Sequence, residues 1–135
     1  MIPADVLTPL QSALYARLTG DTALMAQVVD VVDGAPEGTA YPYVVLGEVI
    51  ETPNNALGEF GADSVITLHV WSKSDGYKEG LEIAGHLRRL LDHQPLTVAG
   101  HHVVSVRHEQ TQTLRDPEPE VRHIPVRFRV TTEQE

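Results

Sequence analysis

The sequence contains no cysteine, and Arg17 is the single basic residue among its first 70 positions. The absence of cysteine excludes disulfides, iron–sulfur clusters, thiolate zinc sites and a cysteine nucleophile. No apolar run approaches the roughly 20 residues that a membrane-spanning helix requires. The first few residues also lack the basic start of a signal peptide. We therefore expect a soluble protein of the cell interior with no membrane partner.

The composition is strongly acidic. The chain has 135 residues, of which 10 are Lys or Arg and 19 are Asp or Glu, for a net charge of −9. This length suits one domain over residues 1–135, with a tail over 132–135 that we expect to fray. A net negative charge repels phosphate, which argues against a general nucleic-acid binder.

The charges are also unevenly distributed along the chain. Residues 1–70 contain nine acids, whereas the segment 107–129 is rich in arginine, with Arg107, Arg115, Arg122, Arg127 and Arg129. This polarity favours opposite-sign surfaces that meet between copies of the chain. The alternative is a solvated surface whose charges pair within one subunit.

Hydrophobic spacing predicts three helices. The first covers 5–18, where apolar residues recur every three or four positions. A short second helix is expected to begin at an Asp21 or Thr22 cap and to end near Val29, and a third is expected over about 77–92.

Alternating and β-branched residues predict five strands, which cover 43–50, 65–72, 96–98, 101–114 and 123–130. Pro125 lacks an amide hydrogen, so we expect the last strand to lie at an edge of the sheet or to carry a bulge. The element order ααββαβββ, with hairpin-length connections, predicts an α+β fold. Its antiparallel sheet should have the helices packed on one face.

The residues that could perform catalysis or bind a metal are scattered. His101 and His102 are adjacent in a predicted strand and therefore point to opposite faces, and His86 and His93 lie about two helical turns apart. No zinc-protease, serine-hydrolase or phosphate-loop motif is present. We therefore expect no catalytic residue, no metal site and no cofactor.

The long loop over 53–62 is the most suggestive segment. It contains Asn54, Asn55, Leu57 and Phe60 among small and acidic residues, and it exceeds the usual two to five residues of a hairpin loop. Its two apolar side chains either form a partner contact or tuck under the loop and complete the core.

Several short pieces follow one another in a set order along nearly the whole chain: Leu14-Tyr15-Ala16-Arg17-Leu18, Tyr41-Pro42-Tyr43-Val44, Thr67-Leu68-His69-Val70-Trp71-Ser72, Gly76-Tyr77-Lys78-Glu79, Leu114-Arg115-Asp116-Pro117 and Phe128-Arg129-Val130. In this order and spacing they resemble the siphophage tail completion, or tail terminator, family, which also occurs in prophages and gene transfer agents. The segment 118–120 departs from the glycine-containing turn of many relatives, and Pro125 is a second departure.

The resemblance implies a virion structural protein without catalysis. Members form a ring, typically of six subunits, that caps the finished tail tube, ends its polymerisation and joins the tail to the head connector. The implied partners are further copies of this chain, the tail tube protein and the head connector or stopper protein. The implied location is the head–tail junction of the virion, after assembly in the host cytoplasm. An acidic channel would let DNA pass without specific binding.

Two groups of residues are expected at contacts on this basis. The first group, on or near the long loop, is expected to face the channel or the adjoining tube and comprises Glu48, Glu51, Asn54, Asn55, Leu57, Glu59, Phe60 and Asp63. The second group is expected between subunits of the ring and comprises Arg107, Arg115, Asp116, Arg122, Arg127 and Arg129. Two other functions stay open: another head–tail connector or minor tail component, and a small metal-dependent enzyme that uses some of the histidines.

Overall fold

The structure is a computed structural model that describes residues 2–135. Its helices are α1 (Leu7–Thr19), α2 (Thr22–Met25) and α3 (Lys78–Leu91). Its strands are β1 (Asp30–Val32), β2 (Tyr43–Pro53), β3 (Gly61–Lys73), β4 (His101–Thr111), β5 (Leu114–Arg115) and β6 (Val121–Gln134). None of the helices in this described part combines the length and apolar character needed to cross a membrane.

The six strands form one sheet in the order β1-β2-β3-β6-β4, and β5 pairs with β6 beyond the end of β4. All neighbouring strands are antiparallel except β1 and β2, which are parallel. The helices pack on one face of the sheet, so the predicted α+β class is confirmed. The predicted strand 96–98 makes only an isolated bridge between Val98 and His101, and β1 was not predicted.

The core lies between the helices and one face of the two central strands. α1 buries Leu10, Leu14 and Leu18, which are spaced four residues apart on one side of the helix. α3 approaches the sheet closely because Gly80 has no side chain. A Cβ at that position would lie 2.6 Å from Cδ1 of Ile124.

Strands β3 and β6 form the longest ladder, from Gly61 opposite Glu133 to Lys73 opposite Val121. Their side chains alternate between the buried face and the other face, as period-two geometry requires. Phe128, on the buried face of β6, is fully buried. The helices leave the other face of the sheet uncovered, and we call it the open face.

Pro125 lies inside the sheet, so the expectation of an edge strand or a bulge at this position is wrong. The carbonyl of Pro125 accepts a hydrogen bond from the amide of Gln112, and the nitrogen of the same residue faces the same neighbour. That neighbour is interrupted, because β4 ends at Thr111 and β5 begins at Leu114. The missing donor of Pro125 therefore coincides with the break in the adjacent strand.

The C-terminal residues do not fray, which corrects the expectation for 132–135. β6 continues to Gln134, and Thr132 is buried. The side-chain oxygen of Gln134 accepts a hydrogen bond from the amide of Ala4 at 2.9 Å, and its side-chain nitrogen donates to the carbonyl of Ile2 at 2.7 Å. The end of the chain therefore holds the N-terminal segment against the sheet.

Candidate interaction surface

The open face carries a bulge in β2 that positions an acidic side chain. Leu46 lies opposite Leu68, but Val49 lies opposite Ile66, so Gly47 and Glu48 share a single partner position on β3. Only glycine fits at position 47, since a Cβ there would lie 2.4 Å from the carbonyl oxygen of Thr67 and 2.5 Å from the ring of His69. A bulge of this kind redirects the side chain beside it.

Glu48 begins a chain of hydrogen bonds across three strands. Its carboxylate lies 2.5 Å from Nε2 of His69, and Nδ1 of His69 lies 2.6 Å from Nε2 of His123. The ring of His123 also stacks on Trp71, with centroids 4.0 Å apart and planes within 5° of parallel. The contact of His69 with Glu48 was not anticipated from the sequence.

The surroundings lower the pKa of both His123 and Glu48, for different physical reasons. Burial is the main cause that lowers the pKa of His123, and the neighbouring His69 adds to it. The hydrogen bond from His69 lowers the pKa of Glu48. At neutral pH, Glu48 is therefore an anion and His123 a neutral ring.

The loop between β2 and β3 is ordered and shorter than predicted, since the two strands pair as far as Pro53 and Ala62. The amide of Asn54 donates to the carbonyl of Gly61 at 2.9 Å, and the side chain of Asn55 accepts from the amide of Gly61 at 3.1 Å. A turn over 56–59 then closes the loop, with Gly58 at a positive φ of 78°. We call residues 54–60 the hairpin tip.

The two apolar residues of the hairpin tip have different environments. Leu57 is fully exposed at the end of the turn. Phe60 is half-buried and lines a cleft of about 190 Å³ between the N-terminal segment and the base of the hairpin, which Val6 and His101 also border. Of the two interpretations of the loop, the partner contact therefore suits Leu57 and the packed position suits Phe60.

The remaining acids of the first predicted group lie along this hairpin. Glu51 and Glu59 are exposed. Asp63, on the open face, accepts a hydrogen bond from the hydroxyl of Thr131 at 2.7 Å. Their role at a channel or tube stays a prediction.

Three arginines of the second predicted group lie together on the open face. Arg129 donates to the carboxylate of Glu109 at 2.9 Å, and Arg127 lies 3.6 Å from the same carboxylate. Arg107 lies directly opposite Arg129 on the neighbouring strand. Like charges in opposite positions repel one another, and Glu109 compensates two of the three. The pairing of Arg127 and Arg129 with a second subunit stays a prediction.

Arg107 and Arg115 differ from their neighbours in having no internal partner. Both are exposed, and within residues 2–135 no acidic side chain lies at ion-pair distance from either. Asp116, the acid of the group, is half-buried and accepts a hydrogen bond from the amide of Glu118 at 3.1 Å. The structure thus brings Arg107 into one patch with Arg127 and Arg129, and it leaves Arg115 and Asp116 outside that patch.

Arg122 does not belong to a subunit contact, which corrects its assignment to the second group. Its side chain is buried, and its guanidinium donates to the carbonyls of Pro119 and Asp75, each at 2.7 Å. The group also lies over the ring of Tyr77, 5.4 Å from the ring centroid. Arg122 therefore joins the turn before β6 to the start of α3.

We expect Arg122→Ala to lower the free energy of unfolding by about 2–4 kcal/mol, because two buried carbonyls lose their donor and a cavity forms. Arg115→Ala is the matched control. Its side chain is exposed and unpaired, so we expect a change of about 0.5 kcal/mol or less. Urea denaturation followed by circular dichroism measures both values, and equal losses for the two variants would contradict the structural role of Arg122.

An uncovered sheet face with unpaired charges and an exposed apolar hairpin tip are features of a subunit that assembles with other proteins. Comparison with known proteins agrees with this class. Residues 12–133 match the family described as Tail completion protein gp17. The chain is 28% identical over 123 residues to the tail completion protein gp17 of Bacillus phage SPP1, a match that spans 90% of this chain and 91% of that protein.

The fold is also similar to two solved structures. A chain from the virion of a native gene transfer agent particle superimposes with a TM-score of 0.89 and 25% identity, covering 97% of this chain and 99% of that one. The gp17 protein of bacteriophage SPP1 superimposes with a TM-score of 0.64 and 25% identity, covering 92% and 88%. The chain belongs to the tail completion protein gp17 family. It is a structural tail protein and not an enzyme.

Proposed function

We propose that this chain forms a ring, with six copies as the expected number, that caps the tail tube, ends its polymerisation and joins the tail to the head connector. One observation carries the proposal: the likeness to a chain of the gene transfer agent virion extends over 97% of this protein at a TM-score of 0.89. The place of action is the head–tail junction of the particle, after assembly in the host cytoplasm, where a chain without cysteine loses nothing to reducing conditions.

Ring closure requires two different surfaces that complement each other, because each subunit contacts its neighbours head to tail. The two edges of the sheet differ in charge. The β4 edge presents Arg107, which has no internal partner, and the connection from β1 to β2 presents the exposed acids Asp33 and Glu37. In the proposed ring, the β4 edge of one subunit meets the β1–β2 edge of the next.

The hairpin tip and the acids beside it face the tail tube or the channel in this arrangement. Leu57 offers an apolar contact to the tube protein, while Glu51 and Glu59 are exposed and unpaired with any base of the described chain. An acidic channel wall repels the DNA backbone, so DNA passes through without specific binding.

Charge reversal tests the proposed subunit contact. We expect Arg107→Glu to abolish most ring assembly by the purified chain, because it places an acid against Asp33 and Glu37 of the neighbour. Lys78→Glu is the matched control, since it changes the net charge equally at an exposed position on the helix layer. Mass photometry at about 0.15 M ionic strength, where exposed charges still interact over ~8 Å, measures the particle mass.

A compensating variant makes the test specific for the two edges. Adding Glu37→Arg to Arg107→Glu restores an attractive pair between neighbours, so ring mass should return. A wild-type chain that stays monomeric at all concentrations would overturn the ring itself. Rings that persist in Arg107→Glu would overturn this choice of edges.

A further inference from the structure

The bulge in β2 lies just beyond the residues that pair with β1, so from there to the hairpin tip β2 pairs only with β3. Beyond it, residues 50–53 are exposed, and the strand leads directly to the hairpin tip. A bulge bends the strand that contains it and increases its local twist. Whatever holds Gly47 and Glu48 in this conformation therefore sets the course of β2 between the bulge and the hairpin tip.

We propose that Glu48, His69 and His123 form a proton-sensitive latch that fixes the β2 bulge and opens as the pH falls below neutrality. The latch consists of two hydrogen bonds in series, one between Glu48 and His69 and one between His69 and His123. It is a property of the single chain and does not depend on ring formation. Its failure and the failure of the proposed function are therefore distinguishable.

The first argument is the number of protons that the chain of hydrogen bonds can hold. When each ring carries one proton on Nε2, His69 donates to Glu48 and His123 donates to the free Nδ1 of His69. With one proton more, both hydrogen bonds persist only if Nδ1 of His69 is the donor and the neutral His123 carries its single proton on Nδ1, which leaves its Nε2 free to accept. With both rings charged, two N–H groups would face each other across 2.6 Å, and this contact cannot persist.

The second argument concerns the charged groups that face His123. Glu48 of β2 and Asp116, which follows β5, favour its protonation, whereas burial and His69 of β3 oppose it more strongly. The pKa of His123 in the folded chain therefore lies below the ordinary histidine value of about 6.5. Trp71 shields one face of the ring from water.

The direction of the pH effect follows from this shift. At a pH between the ordinary histidine pKa and the lowered pKa, His123 is protonated when the latch is open and neutral when it is closed. The latch is therefore at full strength above about pH 6.5 and weakens as the pH falls. Glu48 stays ionised in this range because its own pKa is lowered.

The third argument is the glycine at the bulge. A side chain at position 47 would occupy the space of the His69 ring, 2.5 Å from the nearest ring atom. The ring of His69 can therefore lie against the bulge only because position 47 has no side chain. Gly47→Ala should displace the His69 ring from Glu48 without removing a titratable group.

Hydrogen exchange of the isolated chain tests the latch. After correction for intrinsic exchange rates, we expect amides of residues 47–52 to exchange on the order of tenfold faster at pH 5.5 than at pH 7.5, because opening becomes easier. His123→Gln keeps a donor but cannot be charged, so its exchange should not depend on pH. His102→Gln is the control, because this exposed histidine on β4 lies outside the latch, and the variant should behave as the wild type does.

The wild-type chain also provides a test that no variant can confound. NMR titration of the histidine rings should give His123 a pKa below the ordinary histidine value of about 6.5 and should show its neutral form protonated at Nε2. An ordinary pKa for His123, or pH-independent exchange of residues 47–52 in the wild type, would overturn the latch. Survival of the pH dependence in both His123→Gln and Gly47→Ala would overturn it as well.

Discussion

Replacing residues 55–60 by Asn-Gly is expected to give a folded subunit that no longer completes tails. The strands that flank the hairpin tip pair as far as Pro53 and Ala62, so a two-residue turn can connect Asn54 to Gly61 without a change of register. The variant loses Leu57, which is fully exposed, and Phe60, which is half-buried. We expect the free energy of unfolding to fall by only about 1–2 kcal/mol.

The effect on particles should be much larger than the effect on stability. In the proposed arrangement the hairpin tip contacts the tail tube, so a host that makes only the shortened protein should produce tailless heads or overlong tails. Electron microscopy of the particles gives this result directly. Leu57→Ser is the matched point variant, since it removes the exposed apolar side chain and leaves the turn intact. Normal particles from the shortened protein would remove the hairpin tip from the mechanism.

Phe128→Ala should be the most destabilising single substitution proposed for this chain. Phe128 is fully buried on the helix-facing side of β6, opposite Ile66 of β3, and its ring contacts the edge of His108. Truncation of a buried aromatic residue costs about 3–5 kcal/mol. That is a large part of the 5–15 kcal/mol typical of a whole domain.

The residue beside Phe128 provides its control. Arg129 lies on the open face and pairs with Glu109, so Arg129→Ala should change the free energy of unfolding by about 1 kcal/mol or less. Urea denaturation measures both variants. A loss below about 1 kcal/mol for Phe128→Ala would contradict the position of this ring at the centre of the core.

Local patterns in the sequence were sufficient for most of the fold. The four-residue spacing of Leu10, Leu14 and Leu18 correctly identified the buried side of α1, and Asp21 caps α2 through a hydrogen bond from the amide of Leu24, as expected. The alternation over 123–130 correctly predicted a strand there, and Phe128 lies on its buried face. These features depend on neighbours within a few residues, and such short-range order can be predicted without knowledge of the fold.

Arg122 and Pro125 show where that reasoning fails. Pro125 lies within the predicted strand 123–130 and Arg122 directly before it, but an alternating pattern assigns only a face and says nothing about which strand lies alongside. Arg122 was grouped with the other arginines by proximity in sequence, whereas its partners are the carbonyls of Pro119 and Asp75. Pro125 was assigned to an edge strand or a bulge, whereas a gap in the neighbouring strand accommodates it.

The sequence alone was thus enough to establish an acidic α+β domain, its helix faces and the uneven distribution of its charges. The contact of Glu48 with His69 and His123 had no detectable signal in it, because these residues are separated by 21 and 54 positions. Strand register brings them together, and register depends on the packing of the whole sheet. The same cause makes Arg107 differ from Arg129: Arg129 pairs with Glu109, whereas Arg107 has no acidic side chain at ion-pair distance within residues 2–135.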